Sequence, residues 1–109
     1  MKLEDFKEDY NWSEAFEFAP FNINNVIEVI ASDEGENDGE SWVCVVKLND
    51  GTFGFVDAWC DYTGWDCQSG GSGYQDDDFE HLKRWKMNSS ARRRLGMELP
   101  DLDEIPNRK

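Results

Sequence analysis

The segment from Ser41 to Cys60 leaves this chain little freedom. Ser41 to Leu48 reads as a strand, Asn49-Asp50-Gly51 as a tight hairpin turn, and Thr52 to Cys60 as the returning strand. Side chains alternate across a strand, so Trp42, Cys44, Val46 and Leu48 share one face, and Val43, Val45 and Lys47 the other. On the partner strand Phe53, Phe55, Asp57 and Trp59 alternate with Gly54, Val56, Ala58 and Cys60. Apolar residues occupy both faces, so one face must be covered by helices and the other at least partly covered.

The flanking segments are expected to supply that cover. Leu3, Phe6 and Tyr10 form a helical stripe over residues 2–10, with acids on the other side. Residues 12–20 fit two readings: Ser13 could cap a short turn, while Phe16 and Phe18 alternate like a strand before Pro20. From Phe21 to Ser32 the β-branched run Val26-Ile-Glu-Val-Ile30 favours a strand. Ile23, Val26, Ile27 and Ile30 nevertheless fit a full helical template, with Asn22 or Asn24 as cap, and a helix is expected.

Asp33 to Glu40 reads as an acidic loop. As a calcium loop starting at Glu34 it fails, because Val45 stands where the bidentate glutamate belongs. After the hairpin, Gln68 to Tyr74 returns as a third, short edge strand. Asp76 to Lys86 is a helix with acids first and bases last, and Asp77 with Glu80 resembles a capping box. Phe79 and Leu82 should face the core, beside Trp85 or the Lys86 stem. Asn88 or Ser89 caps a last helix, Ser90 to Leu95, closed by Gly96.

The expectation is one α+β domain over residues 1–98 with a tail at 99–109. It has N-terminal helical segments, a three-stranded antiparallel meander, and one or two C-terminal helices packed on the sheet. At 109 residues, with seven Phe, five Trp and three Tyr, the chain can bury an aromatic-rich core.

Charge narrows the partners. The formal net charge is −13, and residues 1–50 hold 13 acids against 3 bases. Such a field repels nucleic acid and anionic membranes and draws in basic proteins. Six bases, Lys83, Arg84, Lys86, Arg92, Arg93 and Arg94, follow one another without an intervening acid. Pairing with the N-terminal acids or with a partner suits them better than nucleic-acid phosphates. Met1-Lys-Leu-Glu-Asp lacks the pattern of a secretion signal, and the longest apolar run, Trp42 to Val46, is too short to span a bilayer. A cytoplasmic protein with reduced thiols is expected.

No chemistry of catalysis or cofactor binding stands out. Cys44, Cys60 and Cys67 lack the short paired spacings of a zinc site, although a metal- or ligand-binding loop between Cys60 and Cys67 is the alternative reading. Gly64 could let those two thiols bridge on oxidation. His81 with Cys60 or Cys67 is the only pairing resembling a thiol nucleophile, and no nucleophile elbow accompanies it. Ser69-Gly-Gly-Ser-Gly73 lacks the lysine and the setting of a phosphate loop. The residues singled out as partner-binding candidates are Asp57, Asp61, Tyr62, Trp65, Asp66, Asp76, Asp77 and Asp78, with Glu36 and Asp38 in the acidic loop. Aromatic anchors flanked by carboxylates suit a lysine- or arginine-rich partner.

Gly35-Glu-Asn-Asp-Gly39, Trp42, Leu48-x-Asp-Gly51, the run Cys60-Asp-Tyr-Thr-Gly-Trp-Asp-Cys-Gln68 and Arg93-Arg-Leu-Gly96 together carry a resemblance. Over roughly residues 22–97 the chain resembles a family of small bacterial and bacteriophage proteins to which no activity is assigned. The resemblance implies a shared fold unit and a bacterial or phage origin, and no catalytic residue or cofactor. The first twenty residues lie outside it. The function expected is a small, acidic, non-enzymatic binding module, in the phage setting an inhibitor of a basic host nuclease or CRISPR effector.

Overall fold

The computed structural model describes residues 3–34, 40–61 and 68–103. It is an α+β fold built on one antiparallel sheet with strand order β1-β2-β3-β4. The strands are β1 (Val26–Glu34), β2 (Glu40–Leu48), β3 (Phe53–Asp61) and β4 (Gln68–Asp76). Four strands, not three, make the meander.

The additional strand is β1, where a helix was expected. It pairs with β2 through two irregularities, between Val26 and Glu28 and between Val29 and Ala31. Each is a bulge in which one extra residue, Ile27 or Ile30, opposes no partner. The first bulge keeps Val26 and Val29 on the same face at a spacing of three, which imitates a helical stripe. Ile27 is left 49% exposed, and Ile30 packs on the opposite side of the sheet.

The hairpin forms as read. Gly51 takes φ +87°, its N–H donates to Leu48 O at 3.0 Å, and Leu48 N–H donates to Thr52 O at 2.8 Å. Asn49-Asp50 plus a left-handed glycine is a three-residue hairpin loop. Asp50 accepts from the hydroxyl and the N–H of Thr52, and these bonds hold its carboxyl below the usual range.

Each face of the sheet carries its own core. Trp42, Cys44, Val46, Leu48, Val56 and Ala58 pack with Phe6, Trp12, Ala15, Phe16, Phe21 and Ile23 from the N-terminal segments. Those segments are α1 (Leu3–Glu8), α2 (Tyr10–Ala15) and two 3-10 turns, Phe16–Phe18 and Ile23–Asn25. Asp9, not Ser13, caps α2 by accepting from Trp12 N–H at 3.0 Å. Phe6 meets Trp12 and Phe16 at ring-centroid distances of 4.9 and 5.7 Å. The close approach of the Ala19–Phe21 segment depends on glycine: a Cβ at Gly54 would fall 2.3 Å from the Phe21 ring, and one at Gly73 2.6 Å from Ala19 Cα.

The other face buries Val43, Val45 and Phe55 against Leu82, Met87 and Ala91. The elements are α3 (Phe79–His81), which runs on into a π turn at Leu82–Lys86, and α4 (Ser89–Arg94). In the π turn Met87 N–H reaches back to Leu82 O at 3.1 Å. A wider turn takes more residues. The core position after Leu82 therefore falls on Met87; of the two residues expected beside it, Trp85 is 64% exposed and Lys86 is half-buried. Asp78, one residue later than expected, caps α3 through His81 N–H at 3.1 Å. Asn88 caps α4 through Ala91 N–H at 2.8 Å. At its other end, Gly96 (φ +71°) lets Met97 N–H reach Arg92 O at 2.8 Å. The tail is not wholly irregular, since Pro100–Asp103 forms a helical turn, α5. Among the described residues no helix is long and apolar enough to cross a membrane.

Candidate functional site

The expected gripping surface divides when traced residue by residue. Tyr62, Trp65, Asp66, Glu36, Asp38 and Cys67 lie outside the described residues, and Asp61 is described only as the end of β3. Asp57 sits on β3 and accepts from Asn88 Nδ2 at 3.1 Å, which ties the sheet to the start of α4. Asp76 accepts from Asp78 N–H at 2.9 Å and is hydrogen-bonded to His81 Nδ1. The first of these bonds, then the second, holds its carboxyl below the ordinary range. Asp78 is the α3 cap. Three expected contact residues thus serve the fold, while Asp77 is exposed.

His81 has Asp76 beside it and the Trp85 ring 6.4 Å away. The described free thiol, Cys44, lies in the core, where burial pushes its pKa well above the ordinary range. Among the described residues no three His, Cys, Asp or Glu side chains converge as a metal site.

The six consecutive bases are drawn largely into the fold. Arg92 is 5% exposed and donates to Lys83 O at 2.8 Å and to Met87 O, satisfying carbonyls at the end of the π turn. Arg94 Nε meets Asp33 Oδ2 at 2.6 Å, and Arg84 meets Asp101 at 2.6 Å. Lys83 pairs with Glu80 at 3.0 Å.

The acids of the N-terminal layer are arranged differently. Residues 3–18 carry Glu4, Asp5, Glu8, Asp9, Glu14 and Glu17 against Lys7, whereas residues 79–103 carry six bases against four acids. The sheet lies between these two layers. Among the described residues no base pairs with Glu4, Asp5, Glu8, Glu14 or Glu17, and all five are exposed. Sequence reasoning weighted the aromatic loop instead. The acid excess of the first half was the signal for this layer, but only the fold shows that these residues cover one face.

Two concavities border the acidic layer. An open cleft of about 600 Å³ runs between α2 and the 3-10 turns, lined by Phe16, Phe21, Asn22, Asn24 and Asn25, with Glu17 as a titratable lining residue. A recess of about 30 Å³ lies among Glu14, Glu17, Phe18, Trp42, Ala58 and Trp59. Among the described residues it combines carboxylates with aromatic residues and holds no paired acid and base for proton transfer. Compared with family models, curated proteins and solved structures, the chain matches none.

Proposed function

We propose that this chain is a non-enzymatic binding module whose acidic N-terminal layer occupies a basic surface on another protein. The observation that carries this reading is the charge division across the sheet. Glu4, Asp5, Glu8, Glu14 and Glu17 are exposed on one covering layer, while the opposite layer draws most of its bases into internal contacts. Five exposed carboxylates on one layer produce a field that steers basic partners and repels nucleic acid. The recess beside Glu14 and Glu17 adds aromatic residues suited to the end of a lysine or arginine side chain.

A surface of this kind competes with nucleic acid for a basic groove. The proposed partner class is a nucleic-acid-binding protein, such as a nuclease or a CRISPR effector. An inhibitory role inside a bacterial cell extends this reading to the phage setting that the resemblance of Cys60–Gln68 implies.

Affinity capture from a bacterial lysate, followed by nucleic-acid competition with the captured protein, tests the reading. The captured protein should be basic, should be displaced by DNA or RNA, and should bind less tightly as salt rises. Changing Glu4, Glu8, Glu14 and Glu17 together to Gln should abolish capture, while Asp77→Asn with Glu80→Gln should leave it. Capture that survives the first set of changes would overturn the proposal.

A further inference from the structure

The two edges of the sheet differ in a way that the acidic layer does not explain. A free edge presents unpaired N–H and C=O groups and is ordinarily blunted by bulges, charges or proline. The β1 edge is blunted twice over, by its two bulges and by Glu28, Asp33 and Glu34. The β4 edge has no bulge or proline, and its one charge is at its last residue, Asp76. It pairs with β3 in unbroken register from Phe53↔Asp76 to Asp61↔Gln68. From Gln68 to Gln75 it carries no charge, in a chain of which 32% is charged. Among the described residues no backbone group outside β3 bonds to it, and Gly71, Ser72, Tyr74 and Gln75 are exposed.

We propose that β4 is the seam of a homodimer, in which two copies pair antiparallel about a two-fold axis at Ser72 and join their four-stranded sheets into one. The strand is complementary to itself in this register. The axis sets Tyr74 opposite Gly70 of the second copy, and Gly71 opposite its Gly73. Gly70, Ser72 and Tyr74 lie on one face by strand alternation. The Trp59 ring lies against Gly70 on that face, where a Cβ would fall 2.8 Å from it. Tyr74 of each copy therefore arrives beside Trp59 of the other. These are two of the large exposed apolar residues, at 42% and 45%.

Charge permits the same arrangement. No like charges face each other along the seam, since Asp76 would stand opposite Gln68. Each copy still carries −13, so salt should tighten the dimer by screening the rest of the surface. A nine-residue strand is about 30 Å long and a sheet about 10 Å thick, so the seam falls below the range of stable interfaces and among the weak ones. A weak, concentration-dependent dimer follows.

Sedimentation equilibrium of the full chain, from micromolar to millimolar and at low and high sodium chloride, tests the proposal. The mass should rise from 12.6 kDa toward twice that value, more readily at high salt. Ser72→Asp sets two carboxylates face to face on the axis and should weaken the dimer about tenfold or more. Ser32→Asp on the β1 edge should leave it unchanged. A monomer under every condition, or a dimer indifferent to Ser72→Asp, overturns the seam. Asp57 lies opposite Ser72 on β3, so the variant's fold is checked by circular dichroism. If it does not fold, hydrogen exchange of the unsubstituted chain decides: β4 protection must rise with protein concentration. Binding to a basic partner weakens with salt and depends on the N-terminal acids. The seam strengthens with salt and does not depend on them, so either can fail alone.

Discussion

Asp33 and Glu34, neighbours at the end of β1, hold opposite layers of the molecule. Asp33 Oδ2 accepts from Arg94 Nε of the C-terminal layer at 2.6 Å, and Glu34 Oε1 accepts from Trp12 Nε1 of the N-terminal layer at 2.7 Å. Period-two alternation points the two carboxylates to opposite faces, so one dipeptide clamps both. Arg94 also donates to Ser41 Oγ at 2.8 Å. Its pair with Asp33 is partly solvated, at 25% and 43% side-chain exposure, which screens the charge term. Arg94→Ala should cost about 1–2 kcal/mol and Glu34→Ala about 1 kcal/mol in urea unfolding. The clamps share no partner, so the double variant should be additive within about 0.5 kcal/mol.

The contact between Gly54 and Phe21 sets how closely the first 3-10 turn and its following segment lie on the sheet. A Cβ at residue 54 would fall 2.3 Å from Phe21 Cζ, closer than any relaxed contact. Gly54→Ala should destabilise the chain by about 2–3 kcal/mol through overpacking. Phe21→Leu in the same chain should recover part of that loss, because the smaller side chain vacates the Cζ position. Urea midpoints of both single variants and the double variant measure the coupling. Strict additivity would show that the ring is not the obstacle.

Much of this fold is legible in the sequence, and each misreading has a local cause. The hairpin was readable because Asn49-Asp50-Gly51 sits between strands that alternate without interruption. β1 was not, because its bulges convert alternation into spacings of three that imitate a helix. Between the two candidates Trp85 and Lys86 sequence could not choose, because a π turn shifts the core position to Met87 and leaves Trp85 outside. The hydrogen bonds of Asp76 and Asp78 within the fold are not legible in sequence, which cannot separate a capping carboxylate from a free one. The acidic layer was visible as a charge excess and became a surface only once α1, α2 and the 3-10 turns were seen to cover one face.

Cys44 reports on the core. It is fully buried between Trp42 and Val46 on β2, and burial raises its pKa, so both access and thiolate are lacking. Iodoacetamide labelling with peptide mapping should leave Cys44 unmodified in the native chain at neutral pH. Labelling should then follow global unfolding as urea is added. Modification of Cys44 well below the unfolding midpoint would show that the N-terminal layer opens separately from the sheet.

Asp76 and Asp50 set the acid limit of the fold. Both carboxyls are held below the ordinary range, Asp76 by Asp78 N–H and then His81, Asp50 by the Thr52 hydroxyl and then its N–H. For a group whose folded pKa is depressed, the stabilisation is complete above the unfolded value, about 3.9 for aspartate. It is lost as pH falls through the folded value, since the proton then binds the unfolded chain first. Stability should therefore hold between pH 7 and about 4 and decline below it. Asp76→Asn keeps an oxygen for Asp78 N–H but removes the charge. The variant should be less stable than the parent at pH 7 and approach it as the pH falls through the parent's folded value, where its carboxyl takes up a proton. Urea midpoints of the two chains across that range test the linkage, and a gap that stays constant with pH would assign the loss to geometry and not to ionisation.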